Sequence, residues 1–189
     1  KVDNYELVPQ KRPLVLRTFM QRVGRHAIAV GFPSSPHFAF DARGGRVVEA
    51  WRGRFLDAHA TWFNRFIPPA APLGRDLITL PAGLVVNRLP DNDSPWPDAL
   101  DPVTGYRFGG YRLDKSRVPT LLYSVGTLAV EDRIEPSTQR GLKRTLKITT
   151  RSDKPAAWIR AHIGKSLQSR EAGSHTDENG LTVSISKTP

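Results

Sequence analysis

Residues 106–148 read YRFGGYRLDKSRVPTLLYSVGTLAVEDRIEPSTQRGLKRTLKI. Apolar and polar positions alternate through four segments, and breaks at Asp114–Arg117, Gly126-Thr127 and Glu135–Gly141 carry turn chemistry. Period-two alternation interrupted in this way marks consecutive antiparallel strands that turn one face to a core. A two-residue turn at Gly126-Thr127 sets Val125 opposite Leu128, Tyr123 opposite Val130 and Leu121 opposite Asp132. Keeping the same face through the Glu135–Gly141 loop pairs Ile134 with Leu142, Asp132 with Arg144, Val130 with Leu146 and Leu128 with Ile148. That register closes without a bulge. A turn over Asp114–Arg117 adds Tyr106 beside Val125, Phe108 beside Tyr123 and Gly110 beside Leu121.

One row of this face carries charge. Asp132 and Arg144 fall on an otherwise apolar surface with Gly110 leaving room beside them and Arg112 one position along. An unpaired charge there is costly, so Asp132 and Arg144 are expected to pair. Two readings follow: a buried ion pair that serves the fold, or a polar groove floor made by Arg112, Asp132 and Arg144.

Upstream, LVLRTF (14–19), HAIAVGF (26–32), HFAFD (37–41) and RVVEAWR (46–52) read as four successive strands separated by Pro/Ser and Gly turns. Phe38 and Phe40 share one face, and strict alternation puts Val47, Glu49 and Trp51 together. Residues 1–13 are polar with two prolines and read as a linker or a strap. The fold class expected is all-β, an antiparallel β-sandwich with few or no helices, in one domain over residues 14–189 that is excised from a longer chain. A large super-sandwich also fits the strand count.

Residues 54–74, RFLDAHATWFNRFIPPAAPLG, change character. Clustered aromatics ending in Pro68-Pro69 predict a long connection or a short helix. Either the aromatics pin this segment to the core, or Asp57, His59, Trp62 and Asn64 line a sugar-binding groove, in which a flat ring meets a pyranose and polar side chains meet its hydroxyls. DLITLPAGLVVNRLP (76–90) offers one or two short strands. The following loop places Asp91, Asp93, Asp98 and Asp101 within eleven residues, an oxygen-rich set suited to calcium but without EF-hand spacing. The same aspartates suit solvated Asx turns. Near the C-terminus, AWIRAHIG (157–164) and LTVSIS (181–186) read as strands, with Asn179-Gly180 as a hairpin turn.

The absence of cysteine excludes disulfides, thiolate chemistry and covalent haem attachment within this sequence. With 28 Lys+Arg against 18 Asp+Glu the chain carries +10, but the charges are scattered and aromatics are not interleaved with them, which argues against nucleic acid as a partner. No apolar run is long enough to span a bilayer. A nucleophile elbow, a P-loop, an H-E-x-x-H helix and a dinucleotide fingerprint are absent from the sequence. His26, His37, His59, His162 and His175 are dispersed, although His26 and His37 could meet across a hairpin to hold copper or zinc. Asp57, Glu131, Asp132 and Glu49 are the carboxylates from which a glycosidase pair would be drawn.

Five short elements occur in order: Arg17-Thr18-Phe19, Ala27–Gly31, Ala39–Asp41, Trp51–Asp57 and Gly110–Tyr123. Together they resemble a β-rich module of large exported bacterial proteins that also carry c-type cytochrome domains, sugar-dehydrogenase-like propellers or carbohydrate-binding modules. The resemblance spans roughly residues 14–150. It implies a β-sandwich outside the cytoplasm, extracellular or periplasmic, with haem c in a neighbouring domain and polysaccharide turnover as the setting. It brings no catalytic residues. The expected function is therefore a non-catalytic accessory or scaffold module whose partners are neighbouring domains of the same chain or polysaccharide. The alternative is a carbohydrate-binding or carbohydrate-active domain built on the aromatic loop and the polar sheet face.

Overall fold

The computed structural model describes residues 5–63, 68–97, 100–138, 141–150, 157–170 and 173–186. Strand β1 (Glu6–Leu7) is followed by β2 (Leu14–Met20), β3 (Gly24–Gly31), β4 (His37–Asp41), β5 (Arg46–Arg52) and β6 (Leu56–Asp57). One helical turn, α1 (His59–Trp62), precedes β7 (Arg75–Thr79) and β8 (Val86–Asn87). The 106–148 stretch forms β9 (Tyr106–Leu113), β10 (Pro119–Val125), β11 (Leu128–Pro136) and β12 (Leu142–Thr150). Beyond it lie β13 (Trp158–Ile159), β14 (Leu167–Ser169), β15 (Ser174–Asp177) and β16 (Thr182–Ser184).

The protein is an all-β sandwich. A five-stranded sheet, β2-β3-β4-β5-β7, faces a four-stranded sheet, β12-β11-β10-β9, and every pairing in both is antiparallel. Val15, Ile28, Val30, Phe38, Phe40, Val47 and Ala50 meet Leu121, Tyr123, Val125, Leu128, Val130 and Ile134 between them. Each large side chain sealed there contributes about 1.5–3 kcal/mol of hydrophobic stabilisation. Phe38 and Phe40 do share the core face, as the alternation requires.

The far face of the five-stranded sheet is also covered. Ala27, Ala29, Ala39, Val48 and Trp51 pack there against Phe55, Leu56 and Ala70 of the 53–74 connection, with Leu7 of the N-terminal segment alongside. β1 pairs with β6, and the Ala58 amide donates to the Tyr5 carbonyl, so residues 5–7 lie along the connection. Buried on both faces, β3 and β4 have little polar alternation, which is why they read as short apolar runs.

Two β-bulges change which side chains face the core. In β5 the register steps from Ala39–Glu49 to Phe40–Val47, leaving Val48 as the extra residue. Val47 therefore enters the inter-sheet core, whereas Glu49 and Trp51 point to the opposite face, and the expected Val47, Glu49, Trp51 row does not form. In β9 the step falls between Tyr123–Phe108 and Leu122–Gly110, with Gly109 as the extra residue. The pairings Tyr106–Val125 and Phe108–Tyr123 hold, but Tyr111 rather than Gly110 sits beside Leu121. A bulge inverts the facing of everything beyond it, so Arg112 is carried to the solvent face.

Gly110 adopts φ +107°, outside the range open to L side chains, while an added Cβ would meet nothing within 4 Å. Gly110→Ala is therefore expected to cost about 1–3 kcal/mol through the backbone alone. Urea unfolding with an unchanged slope would measure it, and a variant as stable as wild type would show that the bulge does not need glycine.

β12 departs from the sequence register by two residues. Ile134, rather than Asp132, lies opposite Arg144, and Leu128 lies opposite Thr150 rather than Ile148. The cause is a shorter loop: β11 continues to Pro136, and the Ser137 amide donates to the Gly141 carbonyl at 2.8 Å. A slip of two preserves the facing of each side chain, since the strand period is two.

Among the described residues, the 157–164 segment supplies only the two-residue β13, paired with β8. His162 lies beyond β13, its Nε2 2.8 Å from Asp177 Oδ2. β15 and β16 form the hairpin expected around Asn179-Gly180, with β14 added on the other side of β15.

Candidate functional site

Asp132 projects from the middle of β11 into the inter-sheet core and has no exposed surface. Arg144 reaches it diagonally across the β11–β12 pair. Its Nε donates to Oδ1 at 2.9 Å and its Nη2 donates to Oδ2, a two-pronged pairing that matches guanidinium to carboxylate. Tyr123 adds a third donor, its hydroxyl lying 3.2 Å from Oδ2. Burial, reinforced by the adjacent Asp132 charge, pushes the Tyr123 phenol well above its ordinary value, so it remains a donor. For Arg144, burial works against the charge, but the Asp132 carboxylate outweighs it and holds the guanidinium above its usual value. The cluster is closed: Asp132 has two side-chain partners and no exposed surface, Tyr123 is buried, and the Arg144 side chain, 23% exposed, carries most of the contact with solvent.

Arg112 takes no part in it. On the outer face it pairs with Glu131, which also has Lys147 at 3.9 Å. Glu131 and Asp132, adjacent in β11, point to opposite faces, and Glu49 belongs to the other sheet.

In the aromatic segment the Asp57 carboxylate accepts the His59 amide at 2.8 Å and fixes the start of α1. His59 and Phe63 flank Tyr5, with ring centroids at 5.0 and 4.4 Å from it. Trp62 and Phe63 remain mostly exposed, whereas Phe55 is buried. Asn64 lies outside the described residues. Only part of this segment is therefore an anchor, and Asp57 and His59 are engaged in local backbone and ring contacts.

The aspartate-rich loop is held by local hydrogen bonds. Asp91 Oδ1 accepts from the Asp93 amide at 3.1 Å and from Ser94 Oγ at 2.7 Å, an Asx turn. The Asp101 carbonyl accepts from the Thr104 amide and hydroxyl. Asp98 lies outside the described residues. Among the described residues, no three His, Cys, Asp or Glu side chains gather as a metal group. His26 and His37 do not meet: His26 is exposed at one end of the β3–β4 pair, and His37 is buried at the other. His37 Nδ1 accepts the Phe32 amide at 3.1 Å and Nε2 faces the Gly53 carbonyl at 2.7 Å, which defines a neutral structural imidazole donating through Nε2.

The tryptophans are dispersed. Trp51 is buried under the connection, Trp62 is exposed on α1, and Trp96 lies beneath the Arg160 guanidinium, 4.7 Å from its ring centroid. They share no cleft with Asp132.

Two titratable groups on the far face of the five-stranded sheet escaped the sequence reading as buried sites. Burial pushes the His37 imidazole down, with the Gly53 carbonyl opposing. Burial pushes the Glu49 carboxyl up, with Arg22, 3.7 Å away, opposing. For a carboxyl raised in the folded state, the unfolded chain ionises first, near about pH 4.3, and stability is then lost as pH rises through the folded value. Glu49→Gln removes this loss. The variant is expected to match wild type at pH 4 and to exceed it increasingly toward pH 7 in thermal melts; an advantage independent of pH would refute a buried ionising Glu49.

One concave surface was not legible in the sequence. At the end of the sandwich, Arg43 in the β4–β5 turn and Arg107 at the start of β9 line an open cleft of about 370 Å³ together with Leu100, Asp101, Pro102 and Tyr106. Tyr106 is held in place by its hydroxyl, which donates to the Ala42 carbonyl at 2.8 Å. Residues more than fifty apart in sequence meet there, so no local motif announces it.

No family model matches the chain, and no curated protein or solved structure is detectably similar to it.

Proposed function

We propose that this chain is a non-catalytic β-sandwich accessory module of an exported multidomain redox protein, which holds neighbouring domains in position in a setting of polysaccharide turnover. Haem c belongs to a neighbouring domain in this reading, since covalent attachment needs cysteines that this sequence lacks. The observation that supports it best is the closed state of the strongest polar constellation. Asp132, Arg144 and Tyr123 are spent on one another inside the core, and a carboxylate with no exposed surface is poorly placed to meet a ligand. A two-sheet body whose core and outer sheet face are filled by its own side chains suits a spacer.

Pull-down with insoluble cellulose, chitin and xylan tests the scaffold role. The module is expected to stay in the supernatant with all three. Retention on any of them, abolished by Trp62→Ala, would overturn the scaffold reading in favour of carbohydrate recognition through the aromatic segment, whose exposed Trp62 and Phe63 are the features that favour that second reading.

A further inference from the structure

The cleft at the end of the sandwich brings apolar and charged side chains from distant parts of the chain onto one concave surface. Apolar surface from Leu100, Pro102 and Tyr106 is combined with a few charged groups, in a volume of about 370 Å³. Its volume falls within the roughly 300 to 1,000 Å³ of ligand pockets, while its lining is open and more polar than theirs. Among the described residues, neither the Arg43 nor the Arg107 side chain enters an ion pair or a side-chain hydrogen bond. This sets them apart from Arg54, Arg112, Arg133 and Arg144, each of which is paired with a carboxylate. Two uncommitted guanidiniums lining one concavity suit an anion, and their planar donor forks suit a carboxylate in particular.

The surrounding acids narrow the choice. Asp101 lines the same cleft, and the Asp41 carboxylate lies beside the Arg43 backbone, accepting its amide at 2.9 Å. The lining thus sets two arginines against one aspartate, a single net positive charge, which disfavours a densely charged polyanion such as nucleic acid. It favours a ligand with one negative charge per unit and hydroxyl donors to offer a carboxylate. The apolar side chains supply a surface for the C–H face of a ring. We infer that this cleft binds an acidic sugar unit, a uronate, with its carboxylate on Arg43 and Arg107, its hydroxyls toward Asp101 and its ring against Pro102 and Tyr106. The inference is independent of the scaffold role, because it concerns a surface that role does not use.

The test is calorimetric titration of the whole chain with trigalacturonate, with its methyl-esterified form and with a single-stranded oligonucleotide, at low and high salt. Trigalacturonate is expected to bind, to weaken with salt, and to weaken at least tenfold on esterification. Arg43→Ala and Arg107→Ala should each lower affinity about tenfold or more, the loss expected for one charge-assisted contact. Both side chains are exposed, so melting temperatures should stay near wild type and separate lost binding from lost folding. Asp101→Asn should weaken trigalacturonate while improving oligonucleotide binding. Absence of heat with trigalacturonate at millimolar concentration, equal binding of the ester, tighter binding of the oligonucleotide to the wild-type chain, or indifference to both arginine substitutions would each overturn the proposal. Failure here would leave the pull-down result with neutral polysaccharides untouched.

Discussion

Arg144→Ala is expected to destabilise the protein by about 3–5 kcal/mol, because it strands a buried carboxylate rather than merely removing a contact. Asp132 has no exposed surface, and two of its three side-chain hydrogen bonds come from Arg144. Tyr123 alone would remain. Urea unfolding measures the loss through the midpoint, with the slope as a check on two-state behaviour. The complementary variant is Asp132→Leu, Arg144→Met, Tyr123→Phe together. Replacing a buried ion pair by apolar groups of similar volume is often neutral or stabilising by about 1–4 kcal/mol, so this triple substitution should recover most of what the single one loses. A cost below about 1 kcal/mol for Arg144→Ala would mean that the pair is solvated, as surface pairs are.

Trp51→Ala should be comparably costly, about 3–5 kcal/mol, for a different reason. Trp51 is 1% exposed and occupies the middle of the outer cluster, stacked on Phe55 with ring centroids 5.9 Å apart and 5.8 Å from His37. Its Nε1 donates to the Phe55 carbonyl at 2.9 Å, with the Arg54 carbonyl at 3.1 Å. Removing the indole opens a cavity and unpins the start of the 53–74 connection together. Because the inter-sheet core is a separate cluster, the sandwich should still fold, and limited proteolysis should cut near residues 53–63 before global unfolding. Trp51→Phe keeps most of the volume without the donor and should fall between the two. Unchanged protease resistance in Trp51→Ala would show that the connection is held by other contacts.

The two effects map onto what was legible in advance. The Gly126-Thr127 turn fixed the β10–β11 register because a two-residue loop leaves no slack, and all three expected pairings are present. The five-residue-or-longer loop before β12 did leave slack, and the register slipped by two. The Asp132–Arg144 contact survived because period-two facing is insensitive to an even slip and because an arginine is long enough to reach a diagonal neighbour. Arg112 was misplaced by an odd step, the Gly109 bulge, which alternation alone does not reveal although two adjacent glycines were a signal for it. The Val48 bulge carried no such signal, since Val47 and Val48 are both apolar and both find a core, one on each face of the sheet.

By itself the sequence determined the strand order of the meander, its apolar face, the tight turn and the identity of the buried charge pair, because these follow from local periodicity and from the high cost of an unpaired charge. Only the tertiary structure decided that the five-stranded sheet is covered on both faces, that Trp51 and Glu49 belong to the outer one, and that Arg43 and Arg107 line one cleft with Asp101. Those outcomes depend on single-residue bulges and on which distant loops meet at the end of the sandwich. Local chain chemistry leaves both nearly degenerate, and packing of the whole domain resolves them.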